Sequence, residues 1–136
     1  MKKILVALLL ALTACSPQAT PQVITLDTNQ MKFQPVMIEV KAGQPVKVMM
    51  RNSDSIDHDF SIMEFPMTKF SSSAAPVAGH SMGGGSIAKE PELHLAVAMG
   101  MSGSMEFTPT KPGTYEFFCT VAGHKEAGMK GTLIVR

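Results

Sequence analysis

The run Cys119-Thr120-Val121-Ala122-Gly123-His124-Lys125-Glu126-Ala127-Gly128-Met129 sets a thiol, an imidazole and a thioether at equal intervals, C-x4-H-x4-M. Thiolate and thioether are soft donors and imidazole is borderline, a combination that selects copper over hard cations. Tyr115 and Phe117 alternate with Glu116 and Phe118 ahead of the run, so it reads as a loop that leaves one strand and enters another. Such a loop can fold three donors around one ion. A fourth must come from elsewhere, and His58, just after the polar stretch Asn52–Asp57, is the leading candidate. Taken singly, Cys119 reads as a small buried hydrophobe, Met129 as a core residue and His124 as solvated. The regular spacing directly after a strand is what favours a metal site.

Outward from this run the chain is a series of short strands divided by turn residues. Val23–Asp27 reads as a first strand. Met31–Pro35 is irregular, with Phe33 a core anchor. Val36, Ile38 and Val40 alternate with Met37, Glu39 and Lys41, the pattern of a half-buried strand. Ala42-Gly43-Gln44-Pro45 is a turn, after which Val46, Val48 and Met50 alternate with Lys47 and Met49. His58–Met63 resumes strand character, and Leu93, Leu95 and Val97 form another alternating set. Met105 and Phe107 precede the tight turn Lys111-Pro112-Gly113, and Leu133 with Val135 closes the chain. Seven or eight such strands imply an all-β sandwich. Residues 64–91 differ in kind. They hold Ser71-Ser72-Ser73, Met82-Gly83-Gly84-Gly85 and three prolines, and read as a long inserted loop or short helix over the sandwich.

The first residues read as a targeting segment. Lys2 and Lys3 precede the apolar run Ile4–Leu12, which is too short to span a bilayer as a helix and suits a secretory signal. It ends in Leu12-Thr13-Ala14-Cys15, which resembles a bacterial lipoprotein signal. Residues 1–14 are then a signal peptide, 15–21 a lipidated N-terminus and linker, and 22–136 the folded domain, exported and tethered to a bacterial membrane through Cys15. The alternatives are an ordinary cleavage site, or a Cys15–Cys119 disulfide, which would leave the His and Met of the loop unexplained. With Cys15 lipidated, Cys119 is the one thiol of the exported domain. Cleavage takes Lys2 and Lys3 and no acid, moving the net charge from +1 to about −1. Twelve basic against eleven acidic residues give no footprint for nucleic acid, and no phosphate-binding glycine pattern is present. The reading is of a monomer with redox proteins as partners.

Copper that cycles between +1 and +2 needs a compromise between thiolate, which favours the reduced ion, and imidazole, which suits both states. Two histidines and one cysteine in a plane, with a distant thioether on the axis, supply it. A structural zinc site more often gathers several cysteines or histidines and no thioether.

At this point a family resemblance is specific. The segments Phe33–Gly43, Arg51-Asn52 through His58-Asp59-Phe60, and Lys111–Gly131 resemble the cupredoxin, or blue (type 1) copper, family, over most of Gln22–Arg136 apart from the 64–91 insertion. The resemblance implies a Greek-key β-sandwich with one copper at one end. His58, Cys119, His124 and Met129 match the family's ligand positions. It further implies one-electron transfer with no substrate chemistry. In well-known members such as plastocyanin and azurin, the residue after the first ligand histidine is Asn. Here it is Asp59, a departure that bears on the bonding around the ligands and on the potential. Asp59 and Phe60 are assigned to the surroundings of the site. Val121, Ala122, Ala127 and Met129 are assigned to an apolar collar around the edge of His124, for brief docking of a redox partner.

Three functions compete. The first is an electron carrier. The second is an exported copper-binding protein for delivery, storage or sensing, to which His80-Ser81-Met82 could add a weaker copper site. The third is an enzyme subunit, disfavoured because no second histidine-rich set is present and one loop cysteine cannot build a dinuclear centre. The carrier reading is preferred. His94 points outward on its strand and is given no role.

Overall fold

In the computed structural model, which describes residues 19–74 and 89–136, the chain is ten strands in two five-stranded sheets, with no helix among the described residues. In chain order these are β1 (Gln22–Thr28), β2 (Phe33–Gln34), β3 (Met37–Val40), β4 (Val46–Asn52), β5 (His58–Ile62), β6 (Met67–Ser73), β7 (Leu93–Val97), β8 (Ser102–Pro109), β9 (Gly113–Phe118) and β10 (Lys130–Val135). One sheet runs β2-β1-β4-β8-β6 and the other β3-β10-β9-β5-β7, a cupredoxin-like Greek-key sandwich. β1 lies parallel to β4 and β10 parallel to β3, while the remaining pairs are antiparallel.

The alternation read from sequence is the alternation of burial. Val46, Val48 and Met50 on β4, Leu93, Leu95 and Val97 on β7, Met105 and Phe107 on β8, and Leu133 and Val135 on β10 all point into the core. Phe33 is buried in the core. Its ring meets Phe117 edge-on at 5.2 Å and Phe60 at 6.2 Å, while Phe60 stacks on Phe117 at 4.7 Å. Aromatic pairs at such distances add packing specificity to their area burial.

Three expectations are corrected. Val36 does not belong to the third strand: it lies before Met37 and is exposed. Phe33–Gln34 is not wholly irregular but forms a short bridge to β1, too brief to leave an alternation signal. Residues 64–91 are not simply a loop or helix, because Met67–Ser73 is an edge strand paired to β8. Its side chains are exposed almost throughout, so it carries no apolar period to read. It also bulges between Thr68 and Ser71, where Lys69 has φ 55°. The lipidation site Cys15, the signal segment and the pair His80 and Met82 lie outside the described residues.

Within one sheet, β10 leaves no room for a side chain at Gly131, which pairs with Phe117 on β9. A Cβ there would run into the buried Phe117 ring and the Val36 carbonyl. That carbonyl is fixed by the Thr132 amide at 2.8 Å. Gly131→Ala should therefore lower stability by about 2 kcal/mol, the usual size of an overpacking penalty. Urea unfolding of the variant with an unchanged midpoint would contradict this packing.

Candidate metal centre

Each donor reaches the site by a different local route. His58 opens β5, on the core side of the strand that continues to Phe60 and Ile62. Cys119 follows β9 in register with Tyr115 and Phe117. His124 sits in a chain of turns closed by His124 N–H to the Val121 carbonyl (3.0 Å) and Ala127 N–H to the Gly123 carbonyl (3.0 Å). The turns need left-handed backbone at Gly123 (φ 82°) and Gly128 (φ 97°), where a side chain would be strained. Met129 closes the loop. Its amide donates to the His124 carbonyl (2.9 Å) and its carbonyl accepts from the Cys119 amide (3.1 Å).

The three donor atoms converge. His58 Nδ1 and His124 Nδ1 are 3.2 Å apart, Cys119 Sγ is 3.4 Å from His124 Nδ1, and Cys119 Sγ is 3.9 Å from His58 Nδ1. Bonds of about 2.1 Å to nitrogen and about 2.3 Å to sulfur, spread about 120° around one ion, would separate neighbouring donors by about 3.5–3.8 Å. The observed triangle straddles that range, so the set fits a single soft or borderline ion. His58 and Cys119 are fully buried and His124 is 7% exposed. Among the described residues this is the one cluster of three or more His, Cys, Asp or Glu donors. Met129 is fully buried beside it in sequence and backbone bonding.

Two carboxylates hold the donors from behind. Asp54 Oδ2 lies 2.8 Å from His58 Nε2. A carboxylate only accepts, so Nε2 carries the proton and the lone pair of Nδ1 is left facing the other donors. Asp54 is itself clamped by the amides of Gln30 (2.7 Å) and Met31 (3.1 Å). Its loop is pinned by buried Asn52, whose side chain reaches the carbonyls of Ile56 (2.8 Å) and Val97 (3.0 Å) and accepts from the Asp54 amide (3.0 Å). Burial acts to raise the Asp54 pKa, but the bonds from Met31, His58 and Gln30 outweigh it and leave it below the ordinary carboxylate value.

Asp59 joins the two ligand segments. Its carboxylate accepts from the Thr120 amide (2.9 and 3.1 Å), the Thr120 hydroxyl (2.7 Å) and the Ser61 hydroxyl (2.7 Å). Its amide donates to Cys119 Sγ at 3.4 Å. The departure from Asn at this position therefore leaves the tie between the loops in place, made by a carboxylate. Burial first, and then the negative charge of Asp59, push the Cys119 thiol up to about 12. A thiol so raised loses its proton to solvent only where a strongly bound cation takes its place on the sulfur. Burial, followed by the neighbouring His58, lowers His124 below the ordinary imidazole value.

Some assignments made from sequence change. Phe60 is fully buried and stacked on Phe117, so of the roles around the site only an internal one is left to it. Met129 is likewise absent from the surface and drops out of the collar. Val121 is half-buried, and Ala122 and Ala127 are exposed. Lys125 in the same loop lies 4.0 Å over the Phe118 ring and pairs with Glu116. Sequence reasoning missed Asp54, Ser61 and Thr120. Asp54 stands four residues before His58 in a stretch read only as a polar loop. Ser61 shares a strand face with Asp59, which alternation could have flagged.

Comparison with known proteins agrees with the geometry. A family model described as copper binding proteins, plastocyanin/azurin family, matches residues 21–136. The chain is 33% identical over 129 residues to the copper-resistant cuproprotein CopI of Rubrivivax gelatinosus, an overlap covering 90% of this chain and 70% of that one. It is 29% identical over 131 residues to the protein of the same name from Pseudomonas aeruginosa, covering 79% of this chain and 72% of that one. In fold it is similar to the reduced auracyanin of Roseiflexus castenholzii, with TM-score 0.61 at 20% identity, covering 88% of this chain and 99% of that one.

Two outcomes are expected. In metal-free Cys15→Ser protein at pH 8, Cys119 should react with a thiol reagent about a thousandfold more slowly than after unfolding, because it is both buried and protonated. Equal rates before and after unfolding would contradict that burial. Asp59→Ala leaves the Thr120 amide and two hydroxyls without their acceptor and should cost about 3 kcal/mol, whereas Asp59→Asn, which keeps an acceptor oxygen, should cost less. Guanidinium unfolding of the metal-free variants checks the order.

Proposed function

The chain belongs to the plastocyanin/azurin family of copper-binding proteins, and on that premise we propose that it is a mononuclear blue copper protein carrying single electrons between redox partners at the cell envelope. The observation that carries this reading is the closed set of His58, Cys119 and His124, all but sealed from solvent and each tied back to the fold. Copper held by these donors, with Met129 as the weak fourth, supplies a one-electron couple. The protein's part is to keep the donors still. Asp54 fixes the tautomer and ring direction of His58, Asp59 and its amide fix Cys119, and the hydrogen-bonded turns fix His124. Donors that stay in place in both oxidation states keep the reorganisation small when the electron moves. His124 is the ligand nearest the surface, and Val121, Ala122 and Ala127 offer a small, weakly charged contact around it. We read the protein as a carrier rather than an enzyme, with a lipid on Cys15 tethering it to the membrane.

A second reading, copper tolerance by binding or exchanging the metal, is favoured by the name of the two relatives that match over most of the chain, copper-resistant cuproprotein. One experiment separates the readings. The protein loaded with one Cu(II) should show an intense thiolate-to-copper band, a reversible potential and slow loss of metal to a mild chelator. Cys119→Ser should abolish the band. A colourless site, or metal lost within seconds, would remove the carrier reading and leave the exchange reading.

A further inference from the structure

The site has a polar exit that the ligand set does not explain. Asp59 and Ser61 are fully buried on the face of β5 that points away from the core. On the neighbouring edge strand β7, His94 pairs directly with Ser61, and its side chain is 23% exposed. The Ser61 hydroxyl lies 2.7 Å from Asp59 Oδ1 and 2.8 Å from His94 Nδ1. His94 Nδ1 is itself 4.0 Å from Asp59 Oδ1. Ser61 has one proton, and the carboxylate can only accept it. The direction of the chain follows: His94 Nδ1–H donates to Ser61, Ser61 donates to Asp59, and Asp59 borders the Cys119 sulfur at 3.7 Å. With Nδ1 committed as a donor, Nε2 is the nitrogen of His94 that can take up or release a proton.

We infer that His94 is a positioning residue through which the protonation of the protein surface sets the potential of the copper site. The inference rests on the reading of that site as one that cycles between two oxidation states. A proton on His94 Nε2 places positive charge at the outer end of the Ser61–Asp59 chain. It draws on the carboxylate whose negative charge is felt at Cys119. The thiolate then donates less strongly, which favours the electron-rich state. The balance is one electron from a redox partner into the site and, over the pH range in which His94 titrates, a fraction of a proton from solvent onto His94, both returned on oxidation. Linkage makes the effect reciprocal, so reduction must tighten proton binding at His94. An imidazole is suited to this because it ordinarily titrates between pH 5 and 8.

The other charges around His94 among the described residues are few. Asp59 faces it from β5. Glu92, just before β7 and two residues from His94, is turned to the Phe65 amide (2.8 Å) and lies 3.7 Å from Lys89. On β9, beyond β5, Glu116 is paired with Lys125.

The test is the reduction potential of the copper-loaded full chain as a function of pH. The wild type should fall from a higher plateau at acid pH to a lower one as pH rises, the ratio of reduced to oxidised forms at fixed potential changing about fivefold or more. His94→Asn keeps an N–H near the Nδ1 position but cannot titrate, so it should retain the visible band and lose this step. Ser61→Ala, which breaks the chain and leaves His94 in place, should shrink the step. A flat wild-type profile, or a step unchanged in both variants, overturns the inference alone. A protein with no reversible couple overturns it together with the carrier reading.

Discussion

Asp59 is the constraint on which the rest of the site depends. It stands on β5 and gathers bonds from Thr120, just past β9, and from Ser61 around one fully buried carboxylate. Buried carboxylates persist only when such donors replace the lost water. The cluster fixes where β5 begins relative to the loop after β9, and with it the distance from His58 to Cys119. The ligand loop could be redrawn in several ways with the same glycine turns. It could not be redrawn with Thr120 detached from Asp59, because both Thr120 donors would lose their acceptor.

The two carboxylates of the site act in opposite ways. Asp54 stands behind His58, on the side away from the other donors, and orients an imidazole through a single bond. Asp59 stands beside Cys119 and makes the metal-free thiol harder to ionise. One prepares a donor and the other makes a donor depend on an incoming cation. Their anchors differ as well. Asp54 is held by backbone amides of the turn after β1, where Gln30 and Met31 adopt left-handed backbone (φ 54° and 56°). Asp59 is held by side chains and by the ligand loop itself, so it couples the site to the sheet rather than to a turn.

Much of this was legible in the residues. The alternation on β4, β7, β8 and β10 marked the core, and the C-x4-H-x4-M spacing marked the donors, because strand period and loop spacing are local properties. His58 was reachable because it follows a polar loop and opens a strand. The illegible parts are those in which a local pattern is missing or misleading. β6 exposes nearly every side chain and is defined only by its bonds to β8. Met129 was assigned both to the ligands and to the apolar collar, and its burial removes the second role. Asp54 is held by the distant turn at Gln30 and Met31, and His94 meets Ser61 across two strands, contacts that no spacing in the chain announces.

His58 and Cys119 stand 61 residues apart, while Cys119, His124 and Met129 lie within one short run. The chain therefore carries a partial soft-metal site before it folds and a closed one only after β5 meets β9. Metal caught by the unfolded run would subtract from the stability that binding lends the native state, since only the difference in affinity between the two forms counts. His58 supplies that difference. It is the donor that distinguishes a folded chain from an unfolded one, so the metal's preference for the native state rests on a residue outside the ligand loop.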